Sequence, residues 1–90
     1  MCGAMFRVDL TDAARDAYAR ADPPLARKVA RCFHQLERDP RRHSNIKRLT
    51  GQFAGLFRYR IGDWRVLYRI DDSSASVLVH DISHRRDVYE

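Results

Sequence analysis

Cysteine is scarce in this sequence, with only Cys2 and Cys32 among 90 residues. Two thiols do not make the disulfide framework of a small secreted fold, and no Cys-x-x-Cys pair exists, so no metal site is expected. Long hydrophobic runs are missing as well. No apolar stretch approaches the roughly 20 residues that span a bilayer, and the N-terminus lacks a basic region followed by an apolar one. The expectation is a soluble, cytoplasmic protein with no membrane partner. Repeats and low-complexity tracts are absent, and no second linker divides the chain.

Acidic residues are missing from one long stretch. Between Pro40 and Gly62 stand Arg41, Arg42, Lys47, Arg48, Arg58 and Arg60, with no Asp or Glu. The formal charge of the whole chain is +5, so that segment carries the surplus and the remainder is nearly neutral. A basic segment on a neutral body suits a polyanion or an acidic protein partner. What is present otherwise is ordinary for a globular protein: 44% hydrophobic residues, 32% charged, four Phe, four Tyr and one Trp. A chain of this size has room for one core and one site. One domain over residues 1–90 is expected, with 1–4 as a disordered tail.

Periodicity assigns the elements. Phe6 to Leu10 alternates apolar with polar and predicts a strand. Thr11 is an N-cap for a helix whose stripe is Ala13, Ala14, Ala17, Tyr18 and Ala21. Asp22-Pro23-Pro24 ends it and caps a second helix, with Leu25, Val29, Cys32, Phe33 and Leu36 on one face; Pro40 stops it near Asp39. Cys32 reads as a buried thiol on that face. Arg41 to Leu56 reads as a basic loop with at most a turn of strand or helix. From Leu56 the period becomes two, predicting three antiparallel strands: Phe57 to Ile61, Trp64 to Ile70 and Ser76 to Ser83. Turns fall at Gly62-Asp63 and Asp71–Ser74. The fold class is therefore α+β, with a helix hairpin packed on one face of a small sheet.

The tight turn sets register: Ile61 opposes Trp64, Arg60 opposes Arg65 and Arg58 opposes Leu67. A four-residue turn at Asp71–Ser74 would place His80 opposite Arg65. Arg58, Arg60, Arg65 and His80 would then share the sheet face away from the helices. Like charges directly opposed on neighbouring strands are destabilising, so such a pair implies an anion, and guanidinium groups on rigid strands match phosphate oxygens. The competing reading is a solvated strand face. Past the last strand, His84, Arg85 and Tyr89 are expected to border the same face. His34 and His43 read as surface residues.

Three stretches resemble the RelE/ParE toxin superfamily. They are Arg48-Leu49-Thr50-Gly51, the run Gly55-Leu56-Phe57-Arg58-Tyr59-Arg60-Ile61-Gly62-Asp63-Trp64-Arg65-Val66-Leu67-Tyr68, and Ile82-Ser83-His84-Arg85-Arg86-Asp87-Val88-Tyr89. The resemblance spans essentially the whole chain. It implies a RelE-like fold and a ribosome-dependent messenger RNA endonuclease, in which the RNA 2′-hydroxyl attacks the adjacent phosphate without a metal or other cofactor. It implies an acidic cognate antitoxin as partner, beside the ribosome and mRNA, with operator DNA reached only through the antitoxin. The catalytic positions it implies are Arg58, Arg60, Arg65, Arg85 and Tyr89. Arg41, Arg42, Lys47, Arg48 and His80 are the accompanying phosphate-binding candidates.

Well-known RelE proteins carry lysine where this chain has Arg58 and Arg60. Arginine does not give up its proton, so both are electrostatic residues and the base must lie elsewhere. His84 is the first candidate, ahead of His80 and Tyr89. Two alternatives stay open: a ParE-like inhibitor of gyrase that cleaves nothing, and a degenerate toxin kept for binding its antitoxin.

Overall fold

The computed structural model describes residues 5–84. The expected tail at 1–4, Cys2, Arg85 and Tyr89 lie outside the described residues.

The elements run β1 (Arg7–Leu10), α1 (Asp12–Arg20), α2 (Pro23–Arg38), β2 (Ile46–Arg48), a 3₁₀ turn at Gly51–Phe53, β3 (Phe57–Ile61), β4 (Trp64–Asp71) and β5 (Ser76–His84). Thr11 caps α1 by accepting the Ala14 amide at 3.2 Å, and Asp22 caps α2 by accepting that of Leu25 at 3.3 Å. Both caps satisfy amides that the first helical turn leaves orphaned. The basic segment expected as loop contributes a short edge strand, β2, and the 3₁₀ turn.

The strands form one sheet in the order β1-β5-β4-β3-β2. β1 lies parallel to β5, and every other pair is antiparallel. Helices cover one face. Val29, Cys32 and Leu36 of α2 and Ala14 of α1 are fully buried against Tyr59, Ile61, Val66, Tyr68, Val77, Val79 and Ile82 of the sheet. Tyr18 and Phe33 meet edge to face, with ring centroids 5.4 Å apart, and lock the two helices together.

Tyr68 anchors the chain where α2 ends. Its hydroxyl donates to the Pro40 carbonyl at 2.6 Å, inside the core, and its ring stacks on Phe57. Burial pushes the Tyr68 phenol and the Cys32 thiol far up from their ordinary values. Neither group ionises at neutral pH, and both act as core.

The β3–β4 turn has the expected register, with Gly62 at φ +57° supplying the left-handed conformation that a two-residue hairpin needs. The β4–β5 hairpin departs from expectation. Asp71 opposes Ser76, so the turn is Asp72–Ala75 rather than Asp71–Ser74. Farther along, Tyr68 opposes Val79 but Leu67 opposes Asp81, so β5 carries one extra residue, His80, as a bulge. Arg65 therefore faces Ser83, and not His80. The bulge has a packing reason. Val77 and Val79 point to the helices, and a strict alternation would turn Ile82 outward; one inserted residue returns Ile82 to the core, where it is 4% exposed.

Candidate functional site

The sheet face away from the helices carries two cationic rows. In one, Arg60 of β3 opposes Arg65 of β4, which opposes Ser83 of β5. In the next, Lys47 of β2, Arg58 of β3, Leu67 of β4 and Asp81 of β5 run across four strands. Directly opposed residues hold their Cβ atoms only about 5 Å apart, so Arg60 and Arg65 leave adjacent strands side by side on this face. Alternation along each strand puts these side chains opposite Tyr59, Ile61 and Val66, which fill the core. Leu67 marks the floor of this face: it is 7% exposed yet lies outside the helix-side cluster. Ser83 is 8% exposed beside Arg65.

Arg58 and Arg65 are half-buried, whereas Arg60 and Lys47 are exposed. A partly buried guanidinium keeps its charge and is less well screened, so it attracts a phosphate more strongly than a solvated one does. Arg60 also has a long hydrogen bond from Nε to the Gly62 carbonyl, at 3.4 Å, which leans it toward the β3–β4 turn.

Several residues expected at the site stand elsewhere. Arg48 opposes Phe57, so it is on the helix-side register of β2 and not beside Arg58. Arg41 is committed to Asp72 through two hydrogen bonds of 3.0 and 2.8 Å, tying the end of α2 to the β4–β5 turn. That pairing holds the Asp72 carboxyl below its usual range and raises Arg41. Arg42 is exposed in the loop before β2, with its amide donating to Asp39. His80 occupies the bulge; its carbonyl accepts the Thr11 hydroxyl at 2.8 Å and its Nε2 is buried.

His84 is the largest correction. It does not lie past the last strand but ends β5, opposite Trp64, and the two rings meet edge to face at 5.3 Å. Trp64 packs against the helix-side core. His84 thus borders a cleft of about 370 Å³ with Leu25, Lys28, Asp22 and Asp63, on the other side of the sheet from the arginines. Among the described residues no group of three or more His, Cys, Asp or Glu is placed to hold a metal ion. His43 is exposed as expected, stacked on Tyr59 at 5.2 Å.

The reading of residues alone missed Asp81 and Ser83. Their signal was available: Val77, Val79 and Ile82 break period two by one residue, which is how a bulge looks in sequence.

The model of a protein family described as the ParE toxin of type II toxin–antitoxin systems, parDE, matches residues 6–89. Toxin RelG of Mycobacterium tuberculosis is 39% identical over 79 residues, covering 88% of each chain. A chain of the RelBE2 toxin–antitoxin complex from the same organism superposes with a TM-score of 0.78 at 34% identity, covering 91% of this chain and 100% of that one. The fold recurs at 21% identity in the archaeal RelE–RelB complex of Pyrococcus horikoshii, with a TM-score of 0.79 over 93% of this chain and 99% of that one. Two helices on one face of a five-stranded sheet, three sequence stretches of the family's pattern and the match along nearly the whole length lead to one conclusion: this chain belongs to the RelE/ParE superfamily of toxins from type II toxin–antitoxin systems.

Proposed function

We propose that this toxin is a ribosome-dependent messenger RNA endonuclease whose active surface is the arginine face of the sheet. The observation that carries the reading is Arg60 directly opposite Arg65, flanked by Arg58 and Lys47 in the adjacent row. A fold that sets two guanidinium groups against each other on rigid strands does so at an electrostatic cost, which a phosphodiester removes.

Cleavage by internal attack needs the 2′-oxygen, phosphorus and 5′-oxygen in line, and it builds negative charge on the phosphoryl oxygens. Arg60 and Arg65 suit that charge, since each guanidinium offers planar donors that match phosphoryl oxygens. Arg58 and Lys47 suit the flanking phosphates. Arg85 would add a further donor and Tyr89 would stack on a base or pass a proton, both as the family resemblance implies. Chemistry of this kind draws its charge stabilisation from side chains and calls for no cofactor.

The partner that silences it is an acidic cognate antitoxin. Related toxins occur in RelBE complexes, and the surplus cations here concentrate between Pro40 and Gly62. Contact with operator DNA then comes through the antitoxin.

The family description also names ParE, which supports a second reading: a gyrase inhibitor that leaves RNA whole. One experiment separates them. The toxin is added to a translating extract and mRNA ends are mapped at the ribosomal A site, while plasmid supercoiling by gyrase is followed in parallel. The nuclease reading expects new ends with 5′-hydroxyl and 2′,3′-cyclic phosphate termini. Intact message with blocked supercoiling overturns it.

A further inference from the structure

The arginines cannot accept the proton of the attacking 2′-hydroxyl, and His84 stands on the wrong face. We infer that Asp81 is the proton acceptor of this site, an assignment that rests on the nuclease reading.

The bulge in β5 is what puts Asp81 there. It opposes Leu67 in the row of Arg58 and Lys47, and its diagonal neighbour across β4 on the unbulged side is Arg65. Diagonal neighbours stand about 7–8 Å apart, a span that a phosphodiester and its ribose bridge. Asp81 is half-buried, so its carboxylate borders the open face and is not sealed beneath it. On this face β1 contributes Arg7 and Asp9, joined to each other at 3.0 Å, and His80 stands in the bulge next to Asp81.

Elimination among the described residues leads to the same group. The His80 Nε2 is buried, away from a substrate on the surface. Asp9 stands at the β1 edge opposite Leu78, Asp71 lies at the far end of β4, and Asp63 lines the His84 cleft on the other side of the sheet. Asp81 shares its row with Arg58 and Lys47, the cations that suit the flanking phosphates.

The 2′-hydroxyl proton passes to an Asp81 carboxylate oxygen as O2′ bonds to phosphorus. The P–O5′ bond breaks, and its electron pair stays on O5′, which takes a proton from water. The hydroxide so formed is neutralised by the proton on Asp81. The products are a 2′,3′-cyclic phosphate and a 5′-hydroxyl, and the carboxylate is regenerated.

The test uses the full chain on ribosomes programmed with mRNA, under single turnover with toxin in excess. Asp81→Asn is expected to cleave about 100-fold more slowly, the scale of a lost general base. Its binding to ribosomes carrying message with a 2′-O-methyl group at the attacking nucleotide stays at the wild-type level. Asp81→Glu recovers part of the rate. Asp81→His moves the acid limb of the pH–rate profile upward, because imidazole titrates nearer neutrality than a carboxyl; a residue that only orients Arg65 would not move that limb. A wild-type protein that cleaves beside an Asp81→Asn variant that cleaves equally fast overturns this assignment alone. So does an Asp81→Asn variant whose binding falls together with its rate. Intact message with the wild-type protein overturns the nuclease reading and the assignment with it.

Discussion

At the scale of the residue, what matters is which face of the sheet a side chain takes. Arg65 and Val66 are neighbours in sequence, yet one takes the open face of the sheet and the other fills the core. Arg65→Ala is expected to lower cleavage 10²–10³-fold, the loss seen when one preorganised donor is removed from developing charge. A melting curve close to wild type checks that the fold survives. Tyr68→Phe belongs to the opposite face. It strips the buried Pro40 carbonyl of its donor, so a cost of about 1–2 kcal/mol is expected, read as a lower melting temperature with cleavage by the folded protein unchanged. Arg41 acts through Asp72, whose folded-state acidity exceeds its unfolded one. The pair therefore adds stability above the ordinary carboxylate range, and that stability fades as pH falls through the lowered value. Arg41→Gln is expected to return the Asp72 titration, followed by NMR, to the usual range. The pair is exposed, so its effect on stability stays small.

At the scale of the element, turns and bulges decide what the strands present. The two helices and their caps were readable from Thr11, Asp22 and Pro40, because capping and proline chemistry act within a few residues. The β3–β4 register was equally readable, since Gly62-Asp63 allows one short closure. The β4–β5 register was not. Asp71, Asp72, Ser73 and Ser74 are all turn formers, and the turn that closes includes Ala75, which gives no turn signal. Ala75 stands at φ +51°, a left-handed conformation that costs an L-residue roughly 1 kcal/mol or more. Ala75→Gly is expected to raise the melting temperature by a few degrees; no change or a fall would show that the strain is absent. The misplaced turn and the unseen bulge together displaced His80 from the expected row and concealed Asp81 and Ser83. The placement of His84 failed for the same cause, because its strand runs one residue farther than the alternation suggested.

At the scale of the whole molecule, charge is segregated along the chain and then by the fold. The segment from Pro40 to Gly62 holds the surplus, but only part of it reaches the arginine face: Lys47, Arg58 and Arg60 arrive there, while Arg41 and Arg48 do not. Sequence can locate a basic stretch, but facing is a property of pairing across strands. Binding to single-stranded RNA is accordingly expected to weaken as salt rises, through release of counterions. Removing one phosphate-binding cation with Arg60→Ala should reduce the log–log slope by about 0.7. An unchanged slope would place Arg60 off the path of the backbone.

The central claim, that one face of the sheet acts on RNA, is tested most directly by single-turnover cleavage of ribosome-bound mRNA with two arginine variants compared side by side. Arg65 lies on the open face, and Arg20 ends α1 in the helical layer, paired with Asp16. Loss of cleavage with Arg65→Ala, beside wild-type cleavage with Arg20→Ala, is the predicted result. Equal rates for both variants, or message left whole by the wild-type protein, would contradict it.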